Sequence, residues 1–150
     1  MKNGFLAVAL ALTGLVVTAV AQPAMAEGKM HYLAIHVDEN DPVKMNIALN
    51  NAKFATKYYR EKGEDVKIEI VAHGPGLHML REDTSPVKTR IAAMSLEQDN
   101  LAFSACGNTM KAMNKKEGKE VQLISEATQV TSGVVRLMEL QEEGWIYVRP

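Results

Sequence analysis

The chain has 150 residues, 47% of them hydrophobic and 23% charged, and its formal net charge is −1 at pH 7. This length and composition describe a single globular domain with a core of ordinary size. Basic residues are scattered and balanced by acids rather than grouped with aromatic residues, which excludes a nucleic-acid-binding surface.

The first 26 residues have the pattern of a secretory signal peptide. Lys2 supplies a positive start, residues 5–21 form an uncharged apolar run, and residues 24–26 (Ala-Met-Ala) form a small-x-small cleavage site. The alternative is a retained membrane anchor, because the apolar run approaches the ~20 residues that span a bilayer. The cleavage triplet favours removal. We therefore expect a mature domain of residues 27–150, periplasmic or secreted and free of the membrane after cleavage.

A strand and a long helix open the mature chain. Residues 30–37 (MHYLAIHV) are rich in β-formers and predict a first strand. Asp41 fits the N-cap, and Pro42 the first position, of a helix that runs to about residue 61 and that Gly63 closes. The helical period gives this helix two faces. The apolar face carries Val43, Ile47, Phe54 and Tyr58, and the polar face carries Asn46, Asn50, Lys53, Lys57 and Arg60.

A second strand begins at residue 65. Its apolar residues alternate with Lys67 and Glu69, which indicates a partly exposed face near the edge of a sheet. The HGPG motif, residues 73–76, ends the strand as a turn or loop. A helix follows over residues 86–97, with Ser85 as its cap. The apolar run NLAFSA, residues 100–105, predicts a strand buried on both faces.

Two further strand and helix pairs complete the chain. A helix runs from Gly107 to residue 116 and stops at Gly118. Residues 120–130 contain a fourth strand followed by its loop. A last helix is capped by Thr131 or Ser132 and ended by Gly144, and residues 145–150 (WIYVRP) form the last strand.

Alternation of five strands with four helices predicts the fold class. Right-handed crossovers join such strands into a mostly parallel sheet that is covered on both sides. We expect a three-layer α/β/α domain with a five-stranded sheet, although its strand order is open. Ligands of such sheets bind beyond the carboxyl ends of the strands. Three features fall at that edge: His36, the HGPG motif and Cys106.

Cys106 is the only cysteine, so the fold is not held by an internal disulfide. It lies where a strand gives way to a helix, and the unsatisfied N–H groups and dipole of a helix N-terminus favour a negative charge. A thiol there tends to have a lowered pKa and a larger thiolate fraction. We expect the backbone N–H groups of Gly107 and Asn108 to stabilise the anion. The alternative is an inert, buried cysteine that acts as a small hydrophobe.

Two histidines are placed to accompany Cys106. His36 and His73 end successive strands, and His73 is the candidate acid–base or orienting partner of the thiol. A His/His/Cys metal site lacks any short-spacing ligand motif, so no metal site is predicted. Gly74 and Gly76 match neither a P-loop nor a dinucleotide fingerprint. They predict loop geometry first and the wall of a binding pocket second, and no cofactor is expected.

Six segments together resemble the DsrE/DsrF-like family of small sulfur-relay proteins, in its secreted branch: HVDENDP, NNAKF, VAHGPGL, FSACGNTM, SGVVRLMELQEEGW and IYVRP. The resemblance implies one α/β domain with a parallel five-stranded sheet, assembled into trimers or hexamers. It also implies a cysteine after a central strand that carries sulfane sulfur as a persulfide, and Cys106 stands at that place. The export leader and the lack of a second, resolving cysteine depart from the characterised cytoplasmic members.

The leading hypothesis is a periplasmic sulfane-sulfur carrier or sulfurtransferase-like protein. Cys106 would accept sulfur from a donor and pass it to an acceptor thiol, while His73 orients the thiol or shuttles a proton. The alternative is a non-catalytic module that binds a small ligand or a partner chain at the same edge. A third hypothesis is a redox-responsive protein whose thiol pairs between chains.

Overall fold

The computed structural model describes residues 28–150, and the predicted leader lies outside this range. Strands and helices alternate along the described chain. In order they are β1 (Met30–Val37), α1 (Pro42–Glu61), β2 (Asp65–Ala72), a 3₁₀ helix (Gly74–Leu80), α2 (Lys88–Glu97), β3 (Leu101–Cys106), α3 (Gly107–Glu117), β4 (Ala127–Val130), α4 (Gly133–Glu142) and β5 (Ile146–Val148).

The five strands form one parallel sheet in the order β4-β3-β2-β1-β5. The main core lies on the face covered by α1, the 3₁₀ helix, α2 and α3, and it is filled by side chains such as Ile35, Leu49 and Phe103. On the other face α4 packs Leu137 and Leu140 against the middle of the sheet. The expected three-layer α/β/α class with a parallel five-stranded sheet is confirmed.

The start of α1 follows from its sequence. Asp41 is the N-cap, and its carboxylate accepts a hydrogen bond from the backbone N–H of Val43 at 2.7 Å. Pro42 occupies the first position, where its missing N–H costs nothing. Gly63 leaves the helix with a φ of 70°, a left-handed conformation that favours glycine.

The apolar face of α1 lies on the outside of the molecule. The buried side of the helix is formed by Met45, Ala48, Leu49, Ala52 and Thr56. Phe54 is 64% exposed and Val43 67% exposed, whereas amphipathic helices usually turn such residues inward. The polar face lies beside α2, where Arg90 donates hydrogen bonds to Asn46 and Asn50.

The expectation that β2 lies near an edge is wrong, because β2 is the middle strand of the five. Its charged residue Glu69 is only 6% exposed, under α4. The guanidinium of Arg136 donates two hydrogen bonds of 2.8 Å to this carboxylate, and the hydroxyl of Ser104 donates one of 2.6 Å. Of the two charged residues in the alternation, Lys67 is exposed, whereas Glu69 belongs to a buried ion pair in a central strand.

The fourth strand forms later in the chain than expected, at Ala127–Val130, and its loop precedes it. Val121 and Ile124 are buried, and Leu123 forms an isolated antiparallel bridge with Arg81. The apolar residues that suggested an early strand thus fill the core beneath the loop. Pairing with β3 begins only where Phe103 meets Ala127.

Smaller differences concern the ends of helices. The HGPG motif opens a 3₁₀ helix instead of a loop without regular structure. The N-cap of α2 is Val87 rather than Ser85, whose hydroxyl donates to the carbonyl of Met79. Ser132 takes the N-cap of α4, as one of the two expected residues.

Candidate functional site

Cys106 ends β3 and is itself the N-cap of α3. Cys106 is paired in the sheet with Val130 of β4, so it lies at the carboxyl end of β3, beside the carboxyl end of β4. Its sulfur accepts a hydrogen bond from the backbone N–H of Thr109, with an N···Sγ distance of 3.5 Å. The residue is 5% exposed. The thiol is therefore held by the first turn of α3 and is largely covered.

A second helix N-terminus also reaches Cys106. Gly133, the first residue of α4, has no side chain, and a Cβ there would lie 3.2 Å from the Cβ of Cys106 and 2.8 Å from that of His73. Any larger residue would push α4 away. Because α3 and α4 both begin at the thiol, unsatisfied backbone N–H groups of two helices point toward one sulfur.

These surroundings lower the pKa of Cys106. Burial raises the pKa of the thiol, since it disfavours the charged form. Hydrogen bonds to the thiolate from the Thr109 side chain and from the backbone N–H groups of Gly133, Thr109 and Asn108 lower it by more, so the net pKa lies below the ordinary value. The site thus favours the thiolate, which is the nucleophilic form of cysteine.

Gly107 lies in close contact with β4. A Cβ on Gly107 would lie 2.8 Å from the side-chain nitrogen of Gln129 and 2.9 Å from the carbonyl oxygen of Val130. The side chain of Gln129 and the backbone of Val130, both in β4, therefore fill the space beside this glycine. Asn108, in contrast, supplies one of the backbone groups that act on the thiolate.

The HGPG motif supports the site from the other side. Gly74 has a φ of +54°, and its N–H donates a hydrogen bond of 2.9 Å to the hydroxyl of Thr109. Gly76 packs against the end of β1, where a Cβ would come within 2.2 Å of the carbonyl oxygen of Val37. Both glycines thus fix the loop against its neighbours.

His36 and His73 form a directly bonded pair. Their Nε2 atoms are 2.7 Å apart, so one ring nitrogen donates and the other accepts. The Nδ1 of His36 lies 2.7 Å from the hydroxyl of Tyr147 in β5. Burial lowers the pKa of His36, a positive charge on His73 lowers it further, and Asp38 opposes this; the net pKa is below the ordinary value. The pair therefore favours a neutral His36 ring.

His73 lies beside Cys106 without a hydrogen bond to it. The Cδ2 of His73 and the Cβ of Cys106 are each 3.2 Å from the position of a Cβ on Gly133. The Cδ2 of His73 and the Cβ of Cys106 are therefore separated by at most twice 3.2 Å. The Nε2 of His73 is bonded to His36. The sequence predicted that Cys106, His73 and His36 lie at one edge of the sheet. The structure shows that Thr109, Gly133 and Tyr147 also belong to this site.

Two pockets flank the covered thiol. One, of about 470 Å³, lies between β3, β4 and α4 and is lined by residues that include Val130, Ser132 and Arg136. The other, of about 360 Å³, is lined in part by Gly74 and Asn108 at the start of α3. Cys106 lines neither pocket.

Within residues 28–150, no group of three His, Cys, Asp or Glu side chains is arranged to hold a metal ion. No helix in that part of the chain combines the length and the apolar character needed to cross a bilayer.

Comparison with known proteins agrees with this architecture. The model of the DsrE/DsrF-like family matches residues 32–150. The structure of MTH1491 from Methanobacterium thermoautotrophicum, described as a protein of unknown function, is similar with a TM-score of 0.68 and 29% sequence identity. The similarity covers 80% of this chain and 99% of that protein. No curated protein matches the chain significantly. By the match over most of its length, the chain belongs to the DsrE/DsrF-like family.

Proposed function

We propose that this protein is a sulfane-sulfur carrier, or a sulfurtransferase-like protein, that uses Cys106 as its acceptor. One observation carries this function: the N-termini of α3 and α4 meet at the only thiol of the chain. Membership in a family with a sulfur-relay-like fold supports it. Export by the leader pattern of the first 26 residues, and hence a periplasmic or secreted location, is part of the proposal.

The chemical step balances without a cofactor. After the thiol proton leaves, the Cys106 thiolate attacks the outer sulfur of a donor such as thiosulfate. A new S–S bond forms, the S–S bond of the donor breaks, and sulfite departs with the bonding electron pair. The product Cys–S–S⁻ keeps the negative charge, and in this proposal the N–H groups of Thr109 and Gly133, which act on the thiolate, also stabilise the persulfide anion. An acceptor thiolate then attacks the outer sulfur and returns Cys106 as a thiolate.

The histidine pair has a supporting role in this scheme. His73 lies close enough to Cys106 to guide the outer sulfur of the persulfide, which extends one S–S bond, about 2 Å, beyond Sγ. The hydrogen bonds from His73 to His36 and from His36 to Tyr147 lead away from the site toward β5. His73 is therefore proposed to position the persulfide or to move a proton.

Intact mass spectrometry tests sulfur uptake. After incubation with thiosulfate or polysulfide, the protein should gain ~32 Da, and a reductant should remove the gain. Cys106→Ala should gain nothing, while His78→Gln, a histidine bonded to Thr84 instead, should behave like the native protein. Absence of the gain, or a gain that persists in Cys106→Ala, would rule out this function.

The low exposure of Cys106 favours a second candidate function, a non-catalytic module that binds a small ligand or partner at this edge. The rate of thiol alkylation against pH separates the two. A carrier should label with a midpoint below the ~8.5 of free cysteine, and its labelling should be suppressed by prior loading with sulfur. An inert thiol should label slowly, with a midpoint near or above that value.

A further inference from the structure

The outward side of α1 carries two pairs of exposed apolar side chains in one line, here called the outer stripe: Val43 with Ile47, and Phe54 with Tyr58. These residues are 67%, 40%, 64% and 53% exposed, respectively. At ~100° per residue they fall within a narrow arc opposite the buried side of the helix. Scattered exposed apolar residues are common, but four on one line along a 20-residue helix form a patch.

The spacing of the outer stripe is symmetric about its centre. Four positions separate Val43 from Ile47, and four separate Phe54 from Tyr58. Asn50 and Asn51 lie at the midpoint. The pattern is therefore unchanged when the direction of the helix is reversed. A contact between identical chains across a two-fold axis requires such a self-complementary surface.

Antiparallel pairing of two copies of α1 makes size-complementary contacts. Val43 of one copy lies opposite Tyr58 of the other, and Ile47 lies opposite Phe54. Each contact thus pairs a β-branched aliphatic side chain with an aromatic ring, a combination that packs favourably between neighbouring chain segments. The asparagines meet at the centre, where they can hydrogen-bond across the axis.

The charges at the two ends of α1 favour the same orientation. Its amino end carries Glu39 and Asp41 together with Lys44, which is paired with Glu39. Its carboxyl end is mainly basic, with Lys57, Arg60, Glu61 and Lys62. Lys62 also lies over the ring of Tyr58, with its Nζ 4.7 Å from the ring centre. Antiparallel pairing brings Lys62 of one copy close to Glu39 of the other. It also aligns the two helix dipoles in opposite directions. Parallel pairing would instead place like charges side by side.

We propose that the outer stripe of α1 is the contact surface for a second copy of this chain, with the two helices antiparallel about a two-fold axis. A stable interface between proteins buries about 800 Å² on each partner, so regions beside the stripe also take part. Assemblies of this protein therefore contain an even number of copies. This surface is separate from Cys106, and the inference does not depend on the proposed function.

Light scattering coupled to size-exclusion chromatography tests the surface. The double variant Phe54→Ser with Tyr58→Ser should halve the mass of the native assembly, because both residues are exposed and their loss leaves the core intact. Leu96→Ser is the matched control, since Leu96 is 90% exposed but lies on α2. It should leave the mass unchanged. A monomeric native protein, an odd number of copies or an unchanged mass in the double variant would overturn the proposal.

Cross-linking tests the orientation in a Cys106→Ser background, which also removes the thiol of the proposed function. In an antiparallel pair, Asn50→Cys lies about one residue from its own counterpart along the axis. Val43→Cys lies 15 residues from its counterpart, or ~22 Å at 1.5 Å per residue. A short bismaleimide should therefore join copies efficiently at position 50 and poorly at position 43. Equal or reversed efficiencies would overturn the antiparallel arrangement.

Discussion

At the scale of single residues, Gly133 determines how closely α4 approaches the thiol. A side chain there would meet both His73 and Cys106. We expect Gly133→Ala to move the start of α4 and weaken the stabilisation that its N–H gives to the thiolate. The pKa of Cys106 should therefore rise, because the thiolate loses part of its stabilisation from the start of α4. The pH dependence of alkylation measures this change.

Val134→Ala is the control for that experiment. Val134 is adjacent in α4 but 57% exposed, so its truncation should leave the alkylation profile unchanged. An unaltered profile in Gly133→Ala would show that the second helix N-terminus contributes nothing to the thiolate.

The histidine pair gives a second prediction at this scale. Burial lowers the pKa of His36, and a charge on His73 lowers it further. His73→Gln removes the second cause, so the pKa of His36 should rise while staying below its ordinary value, because burial remains. Proton NMR of the His36 ring against pH measures the shift. His78→Gln should leave the His36 titration unchanged, and a His36 pKa that falls in His73→Gln would contradict the pairing.

The sequence predicted some site residues better than others. Cys106, His36 and His73 could be grouped because each ends a strand, and parallel strands end at the same edge of a sheet. Tyr147 could not be added, because its contact with His36 depends on β5 lying beside β1. That strand order is decided by packing of the whole sheet, not by any local pattern. The sequence identified Gly133 only as part of a helix start and gave no sign of its contact with Cys106.

At the scale of elements, α4 is tied to the middle of the sheet by the ion pair between Arg136 and Glu69. Arg136→Ala should destabilise the protein by about 3 kcal/mol, because it leaves a buried carboxylate without its partner. Denaturant unfolding at neutral pH measures the loss. Glu139→Ala is the control, since Glu139 makes only a 3.5 Å contact with Arg136 at an exposed site.

The pH dependence of that loss has a definite sign. Burial raises the pKa of Glu69, but the hydrogen bonds from Arg136 and Ser104 lower it by more, so its net pKa is below the usual value. In Arg136→Ala only the Ser104 hydrogen bond still opposes the effect of burial, so the pKa of Glu69 rises and Glu69 takes up a proton at higher pH. The stability difference between the two proteins should therefore shrink as pH falls. A constant difference would contradict the role of this pair.

Local signals predicted α1 and β1 well and β4 badly. Asp41 and Pro42 act on the backbone next to them in the chain, and the helix begins where they indicate. The stretch before β4 contains Val121 and Ile124, whose apolar character serves the core beneath a loop rather than a strand. Likewise, the apolar face of α1 could not be assigned to the surface from its periodicity alone. Periodicity shows that two faces differ but not which one is buried.

At the scale of the whole molecule, carboxylates held by arginines make the fold sensitive to acid. Arg81, only 1% exposed, donates hydrogen bonds to both Asp83 and Glu117 and joins the end of the 3₁₀ helix region to α3. Hydrogen bonds from Arg81 hold the pKa values of Asp83 and Glu117 below their usual range. Depressed carboxyl pKa values stabilise the fold above the unfolded-state pKa, and this stabilisation is lost as pH falls.

Thermal unfolding against pH tests this expectation. The midpoint should stay level near neutrality and fall below about pH 4.5, where the unfolded chain begins to bind more protons than the folded one. In Arg81→Met the unfolding midpoint should fall less steeply on acidification, because the substitution removes the main cause of the depressed carboxyl pKa values. A midpoint that rises on acidification would contradict the sign of these shifts.

The proposed chemistry depends on Cys106 being a thiolate that the starts of α3 and α4 stabilise. The rate of sulfur uptake from thiosulfate, followed as the ~32 Da mass gain at a series of pH values, measures both ionisation and reaction at once. We predict uptake by the native protein with a midpoint below the ~8.5 of free cysteine, and none by Cys106→Ala. No uptake by the native protein, or a midpoint at or above that of free cysteine, would contradict the account.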